Sequence, residues 1–334
     1  MTGLIRVAPH RGDHRVALRA AFSLAVPLLG LWALGRLDLS VYASFGAFAA
    51  LYGRFDGYAD RIRMQAAAGL TLVSCMLVGT LLSLAGVPDA VKVGVVALVA
   101  AVVTLIAHAG RWHPPGALFA VFASGACASI PASGESLLAV LIVGGASAVF
   151  GIGVSTAIAL VRGRGRIPAT PASRIPARPS LRAGVEVAAT VAIGAALAGV
   201  AGLLLIGSHW YWAMVAAVAA LGGAALNARV IRGLQRLLGT VIGIAVAAGL
   251  LALHLPPLVV VLVAVLLQAG AELFVGRNYG ITMVFVTPLA LLMVELAVPV
   301  DPAVLLRDRL LDTVLGVAVG TAVAVASALL RRRA

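Results

Sequence analysis

Apolar residues along this chain come in long runs and do not alternate with polar ones. Segments such as Val95–Ala107 and Leu258–Leu267 are apolar at nearly every position, and the runs stop at Arg, Pro, Gly or Asp. Reading from stop to stop predicts twelve spans, at about 16–35, 39–53, 64–86, 90–108, 115–131, 136–161, 183–206, 210–226, 233–253, 257–275, 279–297 and 305–330. A membrane β-barrel would need alternating strands, which the runs exclude. Backbone groups in lipid must then find their partners within the segment, so each run is expected to be a helix. The second segment of each half, 39–53 and 210–226, is short for a bilayer about 30 Å thick.

The longest polar stretch, RGRGRIPATPASRIPARPSLR at 162–182, divides the chain nearly in half. It reads as a cytoplasmic linker between residues 1–161 and 183–334, each predicted to hold six spans. The two parts are similar to one another. SVYASFGAFAALYG from Ser40 parallels HWYWAMVAAVAALGG from His209, which pairs Tyr42 with Tyr211. Further on Gln65 pairs with Gln235, Gly69 with Gly239, Gly110 with Gly276, Arg111 with Arg277 and Phe119 with Phe285. Six is even, so the copies share one orientation. The expected fold class is an all-α membrane protein with about twelve transmembrane helices, built as two parallel six-helix repeats.

Composition agrees. Of 334 residues, 62% are hydrophobic and only 11% are charged, against about 25% charged in soluble domains. A soluble enzyme is excluded. The net charge of +13 changes meaning once the basic residues are placed. With the N-terminus inside, only Arg36, Lys92, Arg307 and Arg309 fall on the outer side and the other basic residues fall inside. Both termini are therefore expected in the cytoplasm, the protein in the plasma (cytoplasmic) membrane, and the charge to meet anionic lipid heads and not nucleic acid. No cleavable signal peptide is expected, because Arg6, Arg11, Arg15 and Arg19 lead into a span with no small-residue cleavage site. Cys75 and Cys127 lie inside apolar runs and read as small core residues. No histidine spacing suggests a metal site, and neither a phosphate loop nor a nucleophile–base pair is evident. No cofactor and no enzymatic chemistry are expected.

Three segments carry a family resemblance: HWYWAMVAAVAALGGAALNARVIRGLQRLLGTVIG (209–243), with its R-G-x-x-R-x-x-G-T-x-x-G run; GRNYGITMVFVTPLALL (276–292); and RDRLLDTVLGVAVG (307–320), with an aromatic cluster opening the first. They resemble the fusaric acid resistance-like (FUSC) family, which includes the aromatic acid exporters. The resemblance is clear over residues 207–325 and degenerate in the first half, where Ile62 stands opposite Arg232 and Ala66 opposite Arg236. The plant aluminium-activated malate transporters look more distantly similar in fold. The resemblance implies a secondary transporter that exports organic, above all aromatic, carboxylates and is driven by proton influx. It departs from many such exporters in having a 21-residue linker where they carry a large cytoplasmic domain.

The residues themselves supply candidates for that chemistry. Arg229, Arg232 and Arg236, spaced three and four apart, share a helix face near the cytoplasmic surface, with Gln235 beside them. Guanidinium forks suit carboxylates. Trp210, Tyr211 and Trp212 open a short span, where either interfacial anchoring or stacking on an aromatic solute suits them. Asn278 and Tyr279, next to Arg277, suit either helix capping or substrate contact. Acids within spans are functional candidates. Asp312 is read about 10 Å into its helix, near Arg309 and Asp308, where an Arg309–Asp312 pair would be a staple, a gate or a proton acceptor. Glu272 is one turn from the inner surface and long enough to snorkel there, while Glu186 and Glu295 are at span ends. Two rival readings stay open: a passive organic-anion channel, and a non-transporting scaffold for envelope or lipid. The partners expected are a small organic anion and membrane lipid, with room for a homo-oligomer.

Overall fold

The computed structural model describes residues 7–9, 13–54, 56–161, 180–223, 225–298 and 300–333, and every regular element among them is helical. Most of the 162–182 linker lies outside the described residues. In the first half the helices are α1 (Asp13–Ala33), α2 (Ser40–Ala47), α3 (Tyr58–Leu84), α4 (Asp89–Ala109), α5 (Leu118–Ser129) and α6 (Gly134–Val161). In the second they are α7 (Leu181–Leu205), α8 (Tyr211–Leu221), α9 (Leu226–Ala252), α10 (Pro257–Phe274), α11 (Tyr279–Ala297) and α12 (Pro302–Arg333). Among the described residues nine helices are long and apolar enough to cross a membrane; the apolar helices at Leu37–Leu51, Leu118–Ser129 and Trp210–Leu221 are shorter.

Helix ends follow local chemistry more than apolarity. α3 and α9 begin at Tyr58 and Leu226, well before the apolar runs that start near 64 and 233. Arginine and glutamine interrupt an apolar run, yet both are good helix formers. α7 likewise starts at Leu181, so the last residues of the polar stretch are helical. Its cap is Ser180, whose hydroxyl accepts from the Ala183 amide. α10 opens on proline, whose missing amide costs nothing there. α5 is shorter than the run at 115–131, because Pro114, Pro115 and Gly116 precede it.

The contacts between helices come in matching sets. α3 packs on α5 and α9 on α11; α2 packs on α6 and α8 on α12. Across the halves α1 packs on α10 while α4 packs on α7, and α5 meets α8 while α2 meets α11. All eleven residues of α8 and all eight of α2 are buried, which puts both short helices in the middle of the bundle. Rings join the halves there: Phe122 of α5 stacks on Tyr211 with centroids 6.1 Å apart. That approach needs Gly125, since a Cβ at that position would overlap the Tyr211 Cβ.

Without a hydrophobic drive between helices in lipid, close backbone approach has to hold such pairs together. A Cβ on Gly239 of α9 would overlap the Gly280 carbonyl oxygen of α11. Gly239→Val is therefore expected to force α9 and α11 apart and destabilise the protein by about 1–3 kcal/mol. Thermal unfolding in detergent checks this, with Gly249→Val as the control, because nothing lies within 4 Å of a Cβ at Gly249. Equal melting temperatures for the two variants would remove the close-packing argument.

Candidate functional site

α8 is 11 residues long, about 16 Å at 1.5 Å per residue, so it covers roughly half the apolar slab. It ends at Leu221, and Gly222, extended at ψ 132°, carries the chain away. A helix end inside a membrane protein is tolerated only where neighbouring groups surround it. Here they are cationic. Arg232 of α9 sits against Gly222: a Cβ placed there would lie 3.4 Å from the Arg232 Nε. The arginine thus faces the carbonyl end of α8, where the helix dipole is negative.

The matching position in the first half shows the same need met differently. Gln65 of α3 is fully buried and donates to the carbonyls of Ala50 (3.1 Å) and Tyr52 (3.2 Å) and to the Ser155 hydroxyl (3.2 Å). Arg61 donates to the Gly53 carbonyl at 3.1 Å and the Asp56 carbonyl at 2.9 Å. These contacts occupy the first-half donors with backbone carbonyls.

The second-half cations are not so occupied. Arg236 is 2% exposed and lies ten residues into α9, about 15 Å from its start. It is deeper than the near-surface position expected from the apolar run. It donates to the Tyr279 hydroxyl at 2.8 Å and touches the Met283 sulfur at 3.7 Å. The Arg232 guanidinium lies 4.0 Å over the Tyr279 ring. Arg309 of α12 is 1% exposed, lies 5.2 Å from the Trp212 ring, and is within electrostatic reach of Arg236, Tyr211, Asp312 and Tyr279. Among the described residues no carboxylate comes within 4 Å of Arg232, Arg236 or Arg309. Several of their nitrogens have no hydrogen-bond partner in the protein: Arg232 Nε, Arg236 Nε, and Arg309 Nε and Nη1.

Asp312 is fully buried and neither of its carboxylate oxygens accepts a hydrogen bond from the described residues. It lies ten residues into α12, about 15 Å from the helix start, against Gly202 of α7, where a Cβ would stand 3.2 Å from Oδ1. The expected Arg309–Asp312 ion pair is not formed. Arg309 turns to the indole, and the carboxylate turns to the glycine notch.

The aromatic residues need a correction. Trp210, Tyr211 and Trp212 are 1%, 3% and 0% exposed, so interfacial anchoring is not their role; they are packed inside the protein. Trp212 also receives His209, stacked at 4.5 Å with 12° between planes. His209 Nδ1 in turn contacts Asp308 Oδ2 at 2.8 Å, and Arg307 donates to the same carboxylate at 2.9 Å. Neither His209 nor Asp308 stands out in the sequence as a candidate. Their helical and loop positions, 99 residues apart, carry no joint signal.

Glu272 does not snorkel. It is buried near the end of α10, with Oε2 3.7 Å from Arg54, which also pairs with Asp13 of α1. This ion triad ties the two halves together on one side of the bundle. Arg54 and Arg19, the latter buried within α1, were not singled out from the sequence. Asn278 caps α11 by accepting from the Ile281 amide at 3.1 Å, while Gln235 is partly buried on α9 next to the Gly280 backbone. Cys75 and Cys127 are free and buried, and the described residues hold no cluster of three or more His, Cys, Asp or Glu side chains that could bind a metal ion.

Among the described residues, nine membrane-length helices and a buried cationic centre define a multi-pass helical membrane protein. Residues 195–323, from within α7 to within α12, match the family model described as fusaric acid resistance protein-like. Over that stretch the second half is similar to the FUSC-type family, as its motifs imply. No curated protein and no solved structure matches the chain.

Proposed function

We propose that this protein is a secondary transporter that exports organic carboxylates, aromatic ones included, from the cytoplasm in exchange for protons. One observation carries the reading: Arg232 and Arg236 gather on Tyr279 near the end of α8, Arg309 lies within electrostatic reach of Arg236 and Tyr279, and none of the three has a carboxylate in contact. Buried cations are expensive unless paired, and an incoming anion supplies the missing pair. Guanidinium forks bind carboxylates in bidentate fashion, and Tyr211, Trp212 and Tyr279 offer rings beside them. Unlike the cations, Asp312 has room to gain and lose a proton without breaking a hydrogen bond.

The matching helix contacts support twelve spans in two parallel six-helix repeats, related by an axis along the membrane normal. In that arrangement α2 and α8 are the short, buried spans at matching places in the two halves. The distribution of the basic residues supports a plasma-membrane location with both termini in the cytoplasm. At the end of α2 the matching donors, Gln65 and Arg61, are spent on backbone carbonyls, so the transported anion's site is asymmetric and built by the second half.

An excess of arginine over acid also favours a passive anion channel. Counterflow in proteoliposomes with a panel of aromatic and aliphatic acids separates the two. Export predicts exchange that a proton gradient accelerates; currents indifferent to the gradient support the channel, and no flux of any acid leaves only a scaffold.

A further inference from the structure

A pocket in the first half is lined by none of the buried arginines of α9 and α12. It opens between α1 and α6, with a volume of about 600 Å³. Its floor is basic, with Arg15 and Arg19 from α1 and Arg54 and Arg61 from the first-half loop and α3. Arg54 is matched by Asp13 and Glu272, and Glu272 also lies within electrostatic reach of Arg19. Arg15, Arg19 and Arg61 have no carboxylate within 4 Å among the described residues. Arg19 is 8% exposed; its Nη2 reaches the Ala50 carbonyl only at 3.5 Å, and its Nε has no partner in the protein.

The rim is apolar and faces outward. Leu18, Phe22 and Val26 are spaced four apart along α1, so they form one stripe, and they are 68%, 54% and 38% exposed. Phe22 meets Phe150 of α6 with ring centroids 5.9 Å apart. A cationic floor at a helix end that continues into an apolar stripe matches one kind of molecule, with a phosphodiester at one end and an acyl chain at the other.

We infer that the α1–α6 groove binds an anionic glycerophospholipid of the inner leaflet, with Arg15 and Arg19 on its phosphate and the Leu18–Phe22–Val26 stripe along an acyl chain. This goes beyond the transport reading and uses none of its residues. Its leaflet follows from the arginine-rich side of the protein.

The test uses the purified full chain in detergent, with dioleoylphosphatidylglycerol, dioleoylphosphatidylcholine and inorganic phosphate as separate probes. Native mass spectrometry counts bound lipid and thermal unfolding reads stabilisation. Phosphatidylglycerol is expected to stay bound and to raise the melting temperature, while phosphatidylcholine and phosphate do neither. Arg15→Gln alone, and Arg15→Gln with Arg19→Gln where that variant folds, should each weaken phosphatidylglycerol binding by about fivefold per arginine removed. Arg63→Gln, an exposed arginine on α3, should change nothing. Equal retention of the two lipids overturns the proposal. So does protection by inorganic phosphate equal to that by phosphatidylglycerol, which would mark a free-anion site, or an Arg63→Gln effect as large as that of Arg15→Gln.

Discussion

Arg236→Ala is expected to lower organic-anion counterflow by about 100-fold while the protein still inserts and folds. The two parts of that expectation come from different terms. A charge-assisted hydrogen bond is worth about 1.5–3 kcal/mol, and a bidentate fork on a carboxylate makes two of them, so losing the fork removes most of the substrate's anchoring. Stability behaves otherwise. Within the protein Arg236 donates to the Tyr279 hydroxyl and contacts the Met283 sulfur, and it satisfies no buried carboxylate. Replacing it leaves no orphaned opposite charge, and it relieves the cost of holding a cation in a low-dielectric centre. Arg236→Lys keeps the charge without the fork, so it should recover only part of the rate. The measurements are counterflow in proteoliposomes and monodispersity in detergent. Wild-type counterflow in a well-folded Arg236→Ala protein would end the idea of an anion site at the end of α8.

That centre was half visible in the sequence. The three-and-four spacing of Arg229, Arg232 and Arg236 shows a shared face on any helix, and the aromatic cluster before them marks a short span. Depth was harder to read. An apolar run stops at arginine while the helix does not, so a reader who begins α9 at residue 233 puts Arg236 near the surface. The structure begins it at Leu226. Side-chain partners were harder still. Arg309 and Asp312 lie three apart and look like a pair, but their surroundings offer each a different neighbour, an indole and a glycine notch. Contacts across the halves, such as Arg54 with Glu272 or Phe122 with Tyr211, join residues that no periodicity connects. Gln65 and Gln235 align in the repeat, yet only the folded protein reveals that Gln65 serves the carbonyls closing α2.

Asp312→Asn should separate coupling from binding. If this carboxyl carries the exchanged proton, an amide of the same shape will still let the anion bind and exchange but will carry nothing in return. With the membrane potential clamped, one proton exchanged per anion raises the wild-type accumulation ratio about tenfold per unit of pH gradient, since one pH unit is about 1.4 kcal/mol. Acid outside should drive the anion outward. In Asp312→Asn that ratio should fall to about one at every gradient, with counterflow within about threefold of wild type. Folding should be unaffected: no described residue donates a hydrogen bond to either carboxylate oxygen, so none is lost, and asparagine fits the notch at Gly202. Asp308 is the informative neighbour. It is equally buried, but its carboxylate is held by His209 and Arg307, whereas that of Asp312 has no such partner. Gradient-driven accumulation that survives intact in Asp312→Asn would therefore leave α12 without a proton carrier and shift the balance to passive conduction.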